Sequence, residues 1–337
     1  MQKPYRRDQD HAKDPVAVSG SPRRLAFLVY DSRSGSTLLS REIRGFLEGV
    51  CVTPEIGFDE LFRVGEPGLQ KYGWPELLRR LYSGHEFINF RISQKRALQL
   101  LCPDDGQVVG LVEGIRRLLD AYCGEYFGSE CNWIVVKNGT HIRYWRTMHR
   151  LFGDELVLLH IVRDPRAVIN SKLKTPRPYQ PEEMMAWGGA LLASLRWRNY
   201  VREVEGAQQE GVRIYQLRYE DLIKAPRENM ERLATFLGVK IRMKADAQRY
   251  FIPTAEKEIH KEVMKPGINI RRQEAWIEEL PKHDRFQIEA LCYRDMKRFG
   301  YQVPGRLYRR LQSLALVAGL PRTMAGTLKH LRLKMRP

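Results

Sequence analysis

One segment constrains this chain more than any other. The apolar run Leu25-Ala-Phe-Leu-Val-Tyr30 is followed at once by Asp31-Ser-Arg-Ser-Gly-Ser-Thr37, and a helical pattern starts at Thr37. A strand, a tight loop of small residues and a helix start form an anion cradle. Backbone N–H groups of the loop and first helical turn point at one spot, where the helix dipole favours negative charge. Ser34, Gly35, Ser36 and Thr37 would line that cradle, and Arg33 adds a planar fork matched to phosphate or sulfate oxygens. The Gly-Lys-Ser/Thr ending that reaches a γ-phosphate and holds Mg²⁺ is missing, so a nucleotide fits and a metal seat is not expected.

A second segment has the same grammar. Residues 156–162 are apolar and rich in branched side chains, and Arg163-Asp-Pro-Arg-Ala-Val follows. Pro165 falls at the first position of a helix, where its missing N–H costs nothing. Arg163 at the strand end and Ser171 about two turns into the helix are placed to meet a second phosphate.

Taken together, Arg33-Ser-Gly-Ser-Thr37 and Arg163-Asp-Pro-Arg-Ala-Val…Ser171 resemble the two cofactor motifs of the sulfotransferases that use 3′-phosphoadenylyl sulfate (PAPS). Three later segments strengthen the resemblance. Arg218-Tyr-Glu-Asp-Leu222 is similar to a segment that follows a core strand in that family. Asn269-Ile-Arg-Arg-Gln-Glu-Ala-Trp276 is similar to its late cofactor segment, and 292–301 to the closing segment of carbohydrate sulfotransferases. The resemblance implies an α/β fold, P-loop-NTPase-like, in one three-layer domain with a central parallel sheet. It also implies cofactor contacts from Arg33 to Thr37 for the 5′-phosphosulfate and from Arg163 and Ser171 for the 3′-phosphate. Tyr219, Arg271 and Arg272 complete the implied cofactor set, and Trp276 is either an adenine platform or a core residue. Lys137, at the end of the apolar run 132–137, corresponds to a residue that touches the bridging oxygen in some members. Glu55 corresponds to the acceptor's general base, with His85 as the alternative and His141 third.

The pass along the chain gives strands at 25–30, 49–53, 132–137, 156–162 and 212–218, alternating with helical patterns at 37–47, 109–127, 142–151, 167–173, 182–205, 221–237 and 282–298. Such alternation predicts a parallel sheet covered on both faces. Residues 55–108 carry Gly, Pro and aromatics without a period and read as an irregular insertion near the acceptor. The expected organisation is a flexible arm at 1–22, a sulfotransferase domain at 23–302 and a basic helical extension at 303–337.

Charge and cysteines bound the partners. Fifty-seven Lys and Arg against 40 Asp and Glu give +17, which calls for an anionic partner. A nucleotide, acidic glycans, nucleic acid or an anionic membrane surface would meet that need; with the resemblance, the expected partners are the nucleotide cosubstrate and a carbohydrate or glycolipid acceptor, and nucleic acid is not expected. A non-catalytic basic protein binding nucleic acid or anionic membrane is the competing class, but it would not need an intact phosphosulfate loop with Lys137. The eight histidines show no ligand spacing, so no metal is expected. The five cysteines, with no Cys-x-x-Cys, read as scattered buried thiols of a reducing compartment. With a polar start lacking an apolar leader, this gives the expectation of a cytoplasmic enzyme without an anchor. Residues 303–337 hold eight Lys and Arg and no acidic residue. Leu307, Leu311, Leu314 and Ala318 are helically spaced there, with a break expected at Pro321. Such a piece either lies on an anionic membrane at its inner face or packs on the domain with a solvated basic face.

Overall fold

The computed structural model describes residues 22–84, 87, 89–103, 107–127, 131–178, 180–243, 273–305 and 310–334. Its centre is a five-stranded sheet built from β1 (Arg24–Tyr30), β2 (Val50–Glu55), β3 (Trp133–Lys137), β4 (Val157–Val162) and β7 (Arg213–Arg218). The spatial order is β2-β3-β1-β4-β7 and every pairing is parallel. Strand β1 therefore has β3 on one side and β4 on the other, which makes its carboxyl end the point where the winding reverses. Crevices in open α/β sheets lie at that point.

Alternation of side chains explains why the strands read as continuous apolar runs. Leu25, Phe27 and Val29 of β1 pack into one cluster with α2 (Asp59–Ser83), α4 (Leu111–Tyr126) and α5 (Trp145–Phe152). Ala26, Leu28 and Tyr30 enter the cluster on the other face with α1 (Ser36–Phe46) and α9 (Pro226–Leu237). Both faces of β1 are covered, and both sets of its positions are apolar from Leu25 to Val29. A third cluster joins α6 (Pro165–Lys174), α7 (Gly189–Gln209) and α11 (Lys282–Arg298) at one flank. Fully burying a side chain of the Leu or Phe type is worth about 1.5–3 kcal/mol, so these layers dominate the stability.

Five predicted strands form within one or two residues of their expected bounds. The helices needed more correction. Residues 55–108 are largely helical, through α2 and α3 (Gln94–Leu101), not irregular. Helix α2 is broken at Gly65 (φ 62°) and Gly73 (φ 70°), and Pro67 and Pro75 each fall two residues further on, early in the next helical piece. Glycine takes the left-handed break and proline suits a first turn, which erases the period from the sequence. The helix expected over 182–205 begins only at Gly189. Gln180–Met184 instead forms β6, antiparallel to β5 (Pro176–Arg177), so strand pairing overrides the helix propensity of the two glutamates. The span 221–237 is split into α8 (Tyr219–Lys224) and α9 by Pro226. Beyond α10 (Trp276–Glu279) and α11, the described part of the extension holds α12 (Gln312–Lys334), which continues through Pro321 where a break was expected.

Three of the five cysteines are not scattered. Cys51 on β2 and Cys123 on α4 are joined as a disulfide, and the buried Cys131 thiol lies 3.7 Å from Cys123 Sγ, while Cys102 and Cys292 stand apart as free thiols, the first of them exposed. Cys51 lies 72 residues before Cys123, and spacing alone carries no pairing information.

Two histidines are sealed in this core. Burial pushes His141 down to about 4 and His160 likewise to about 4. Each folded ring then holds its proton more weakly than the unfolded chain does. Between pH about 6.5 and about 4 the unfolded state takes up protons that the native state refuses, so stability falls as pH is lowered through that window. The expected loss approaches about 1.4 kcal/mol per pH unit per ring. Urea unfolding at about pH 7 and about pH 5 checks it, and a His160→Gln variant should show a shallower dependence by about one ring's share.

Candidate active site

The carboxyl ends of β1, β2 and β3 meet at one place. Tyr30 ends β1, Glu55 ends β2 and Lys137 ends β3. Strand β2 is an edge strand, and its register shifts between Val52 and Glu55. Pro54 stands inside that irregularity, where a residue without an N–H is tolerated. A bulge of this kind re-aims the next side chain. Here that side chain is Glu55, whose Oε1 accepts a hydrogen bond of 2.8 Å from the Tyr30 hydroxyl. The neighbouring backbone is tied down as well. Thr53 Oγ1 accepts from the Lys137 N–H at 3.0 Å, and the Ile56 N–H donates to the Lys137 carbonyl at 3.2 Å.

Lys137 is buried, with its ammonium 3.3 Å from Thr37 Oγ1 and 6.0 Å from the centre of the Tyr30 ring. Thr37 lies in the first turn of α1, so the lysine bridges the carboxyl end of β3 to the anion loop. The loop has an unusual backbone. Arg33 takes φ 72° and Gly35 φ 94°. A left-handed arginine is uncommon and persists only where its surroundings hold it. Here the Arg163 guanidinium donates to the Arg33 carbonyl at 3.2 Å. Gly35 is obligatory for a second reason, since a Cβ there would sit 2.3 Å from the Tyr219 ring. That ring in turn lies under the Arg163 guanidinium at 4.3 Å. Tyr219 thus acts from beneath the loop, fixing both Gly35 and Arg163.

Helix α6 closes the other side. Arg33 Nε donates to Ser171 Oγ at 2.9 Å, which brings the two phosphate motifs into direct contact. Buried Lys172 pairs with Asp31 at the loop's start. Burial lowers the Lys172 ammonium below its ordinary range while the Asp31 carboxylate opposes that shift. Ser34 is almost fully buried and its hydroxyl finds no protein partner. Such a group normally has one, and an oxyanion in the loop would supply it. No side chain caps the amino terminus of α1 and no acidic residue lies in its first turn. The residues present therefore fit a phosphate or sulfate group.

Other expected residues are placed differently. His141 is not a base: its ring is fully buried, stacks on Phe58, and accepts the Phe58 N–H at Nε2 over 3.0 Å. Arg166 grips Asp164 and Glu289 and lies 4.0 Å over Trp276, which settles that tryptophan in the third apolar cluster. His85, Arg271 and Arg272 lie outside the described residues. Four residues of the site were assigned no role from the sequence: Tyr30, Asp31, Thr53 and Lys172. The polar tip of a tyrosine at a strand's carboxyl end was the available signal for the first.

Comparison with known proteins agrees with this geometry. Human carbohydrate sulfotransferase 6 is 26% identical over 204 residues, 54% of this chain and 51% of its own length. Mouse carbohydrate sulfotransferase 5 is 28% identical over 222 residues, 58% of this chain and 54% of its own. The chain thus spans about half the length of the curated relatives it matches. Among solved structures, the sulfotransferase domain from the curacin biosynthetic pathway matches with a TM-score of 0.56 at 18% identity, covering 85% of this chain and 100% of that one. The sulfotransferase domain of the Synechococcus PCC 7002 olefin synthase matches at 0.51 and 19%, covering 88% of this chain and 100% of that one. These two share the fold: a central parallel sheet with helical flanks. The profile of the sulfotransferase family matches residues 27–242, more than half of the sequence, and the chain belongs to that family.

Proposed function

We propose that this site moves a sulfuryl group from PAPS to a hydroxyl of a carbohydrate or glycolipid. The observation that carries the reading is convergence. The Arg33–Thr37 loop touches Ser171 of the second motif on one side and Lys137 on the other, and Glu55 stands at the neighbouring strand end. In this arrangement the loop N–H groups, Arg33 and Ser34 hold the 5′-phosphosulfate, and Arg163 and Ser171 hold the 3′-phosphate. The acceptor oxygen attacks sulfur while the bond from sulfur to the bridging oxygen breaks. Glu55 takes the hydroxyl proton, and Lys137 stabilises the charge that grows on the bridging oxygen. Groups preset against developing charge lower a barrier more than groups that bind both states alike. The names of the two curated relatives support a carbohydrate acceptor, and the basic charge of the chain suits the nucleotide.

The reading predicts that the desulfated product, adenosine 3′,5′-bisphosphate, binds more tightly than AMP by about ten- to a hundredfold, the worth of a charged hydrogen bond or two. Isothermal calorimetry checks this. Arg163→Gln should narrow the difference. Ser171→Ala separates two roles: losing only the preference assigns Ser171 to the 3′-phosphate, whereas equal weakening of both ligands assigns it to holding Arg33. Equal affinity of the native protein for both nucleotides would remove the second phosphate site.

A further inference from the structure

Helix α12 is attached the wrong way round for an ordinary surface helix. Its packed face is made of small residues. Ala315 is fully buried. A Cβ on Gly319 would sit 2.6 Å from the Leu191 side chain, and one on Gly326 would sit 2.0 Å from the Trp187 carbonyl oxygen. Polar contacts fasten the same face. Thr323 Oγ1 donates to the Gly188 carbonyl at 3.0 Å, Arg322 pairs with Asp284 at 3.1 Å, and the His330 ring pairs with Glu183 at 2.7 Å while stacking on Trp187.

The large apolar residues point the other way. Leu314, Val317, Leu320, Met324 and Leu328 follow the three- and four-residue spacing of one helix face, and each is between 49% and 64% exposed. Single exposed leucines are ordinary, but a continuous row of five marks a surface built to be covered. The segment around it is strongly basic, with eight Lys and Arg and no acidic residue across 303–337.

We infer that this row is a docking face for an anionic lipid surface, on which α12 lies flat. An apolar stripe with basic residues and no acidic ones is the chemistry of an interfacial helix. Charge decides against a second copy of the chain. Two such helices meeting face to face would bring together two like-signed segments, whereas anionic headgroups neutralise one. Among the described residues no helix is long and apolar enough to cross a membrane, so the contact is lateral. The face is independent of the sulfuryl-transfer reading, since none of its residues touches the anion loop.

Flotation with vesicles of phosphatidylcholine alone, and of phosphatidylcholine mixed with phosphatidylglycerol, tests the inference. The full chain should bind the mixed vesicles, ignore the neutral ones, and release as salt rises. Val317→Asp with Met324→Asp should abolish binding, while Arg310→Gln and Lys329→Gln should weaken it about fivefold each. Unchanged thermal melting by circular dichroism shows that the variants fold. Leu320→Gln is the milder second variant should the double one melt early, and it too should reduce binding. Equal binding to neutral vesicles, no binding by the native chain, or full binding by folded face variants would overturn the inference. So would a native dimer that Val317→Asp with Met324→Asp converts to monomer without any vesicle binding, since the face would then belong to a second copy.

Discussion

Glu55→Gln should lower kcat by about 10²–10⁴-fold, the usual worth of one general base. The amide keeps the shape of the carboxylate and can still meet the Tyr30 hydroxyl, which is 2.8 Å from Oε1 in the native site. Only the capacity to take the acceptor's proton is lost. Nucleotide affinity should hardly move, because the phosphate contacts we propose sit on the loop and α6. Tyr30→Phe offers a graded version. Removing the phenol leaves the carboxylate in place but takes away the 2.8 Å bond that helps aim it, so kcat should fall less than in Glu55→Gln. Near-full kcat in Glu55→Gln with loss in His85→Asn would move the base to the histidine.

Lys137→Met should cost about 10²–10³-fold in kcat, comparable to removing one donor from an oxyanion site. Methionine keeps most of the buried volume, so the strand end and its bonds to Thr53 and Ile56 should survive. The ammonium is held 3.3 Å from Thr37 Oγ1, at the junction of the anion loop and the carboxyl end of β3. Charge on the bridging oxygen grows only as the bond to sulfur breaks. A lysine serving that charge therefore affects turnover more than ground-state binding. A rise in KM with unchanged kcat would show that it binds ground and transition states alike. Thr37→Ser is the matching control. It keeps the hydroxyl and should stay close to native rate.

Much of the fold was legible because both faces of the sheet are covered. Leu25–Tyr30 is apolar at every position and 156–162 at every position but His160, and such runs are conspicuous. The phosphate loop was legible because its backbone demands small residues, and Gly35 admits no Cβ against Tyr219. Other parts depend on contacts that leave no local trace. The breaks at Gly65 and Gly73 hide the period of α2. The pairing of β6 with β5 overrides a run that favours helix. Cys51, Cys123 and Cys131 come together only when β2, α4 and the lead into β3 pack. In the site, Lys137 and Glu55 were reachable through strand ends and the family resemblance. The Tyr30–Glu55 bond and the Asp31–Lys172 pair belong to tertiary structure. So does the packing of Tyr219 against Gly35 and Arg163.

Incubation with ³⁵S-labelled PAPS and a panel of glycans and extracted glycolipids, with products separated by chromatography, measures the proposed sulfuryl transfer directly. Label should appear in a carbohydrate or glycolipid fraction, adenosine 3′,5′-bisphosphate should be released in equal amount, and both should be lost with Glu55→Gln and Lys137→Met. Tight binding of adenosine 3′,5′-bisphosphate with no label transferred to any acceptor, or transfer that both variants leave intact, would contradict it.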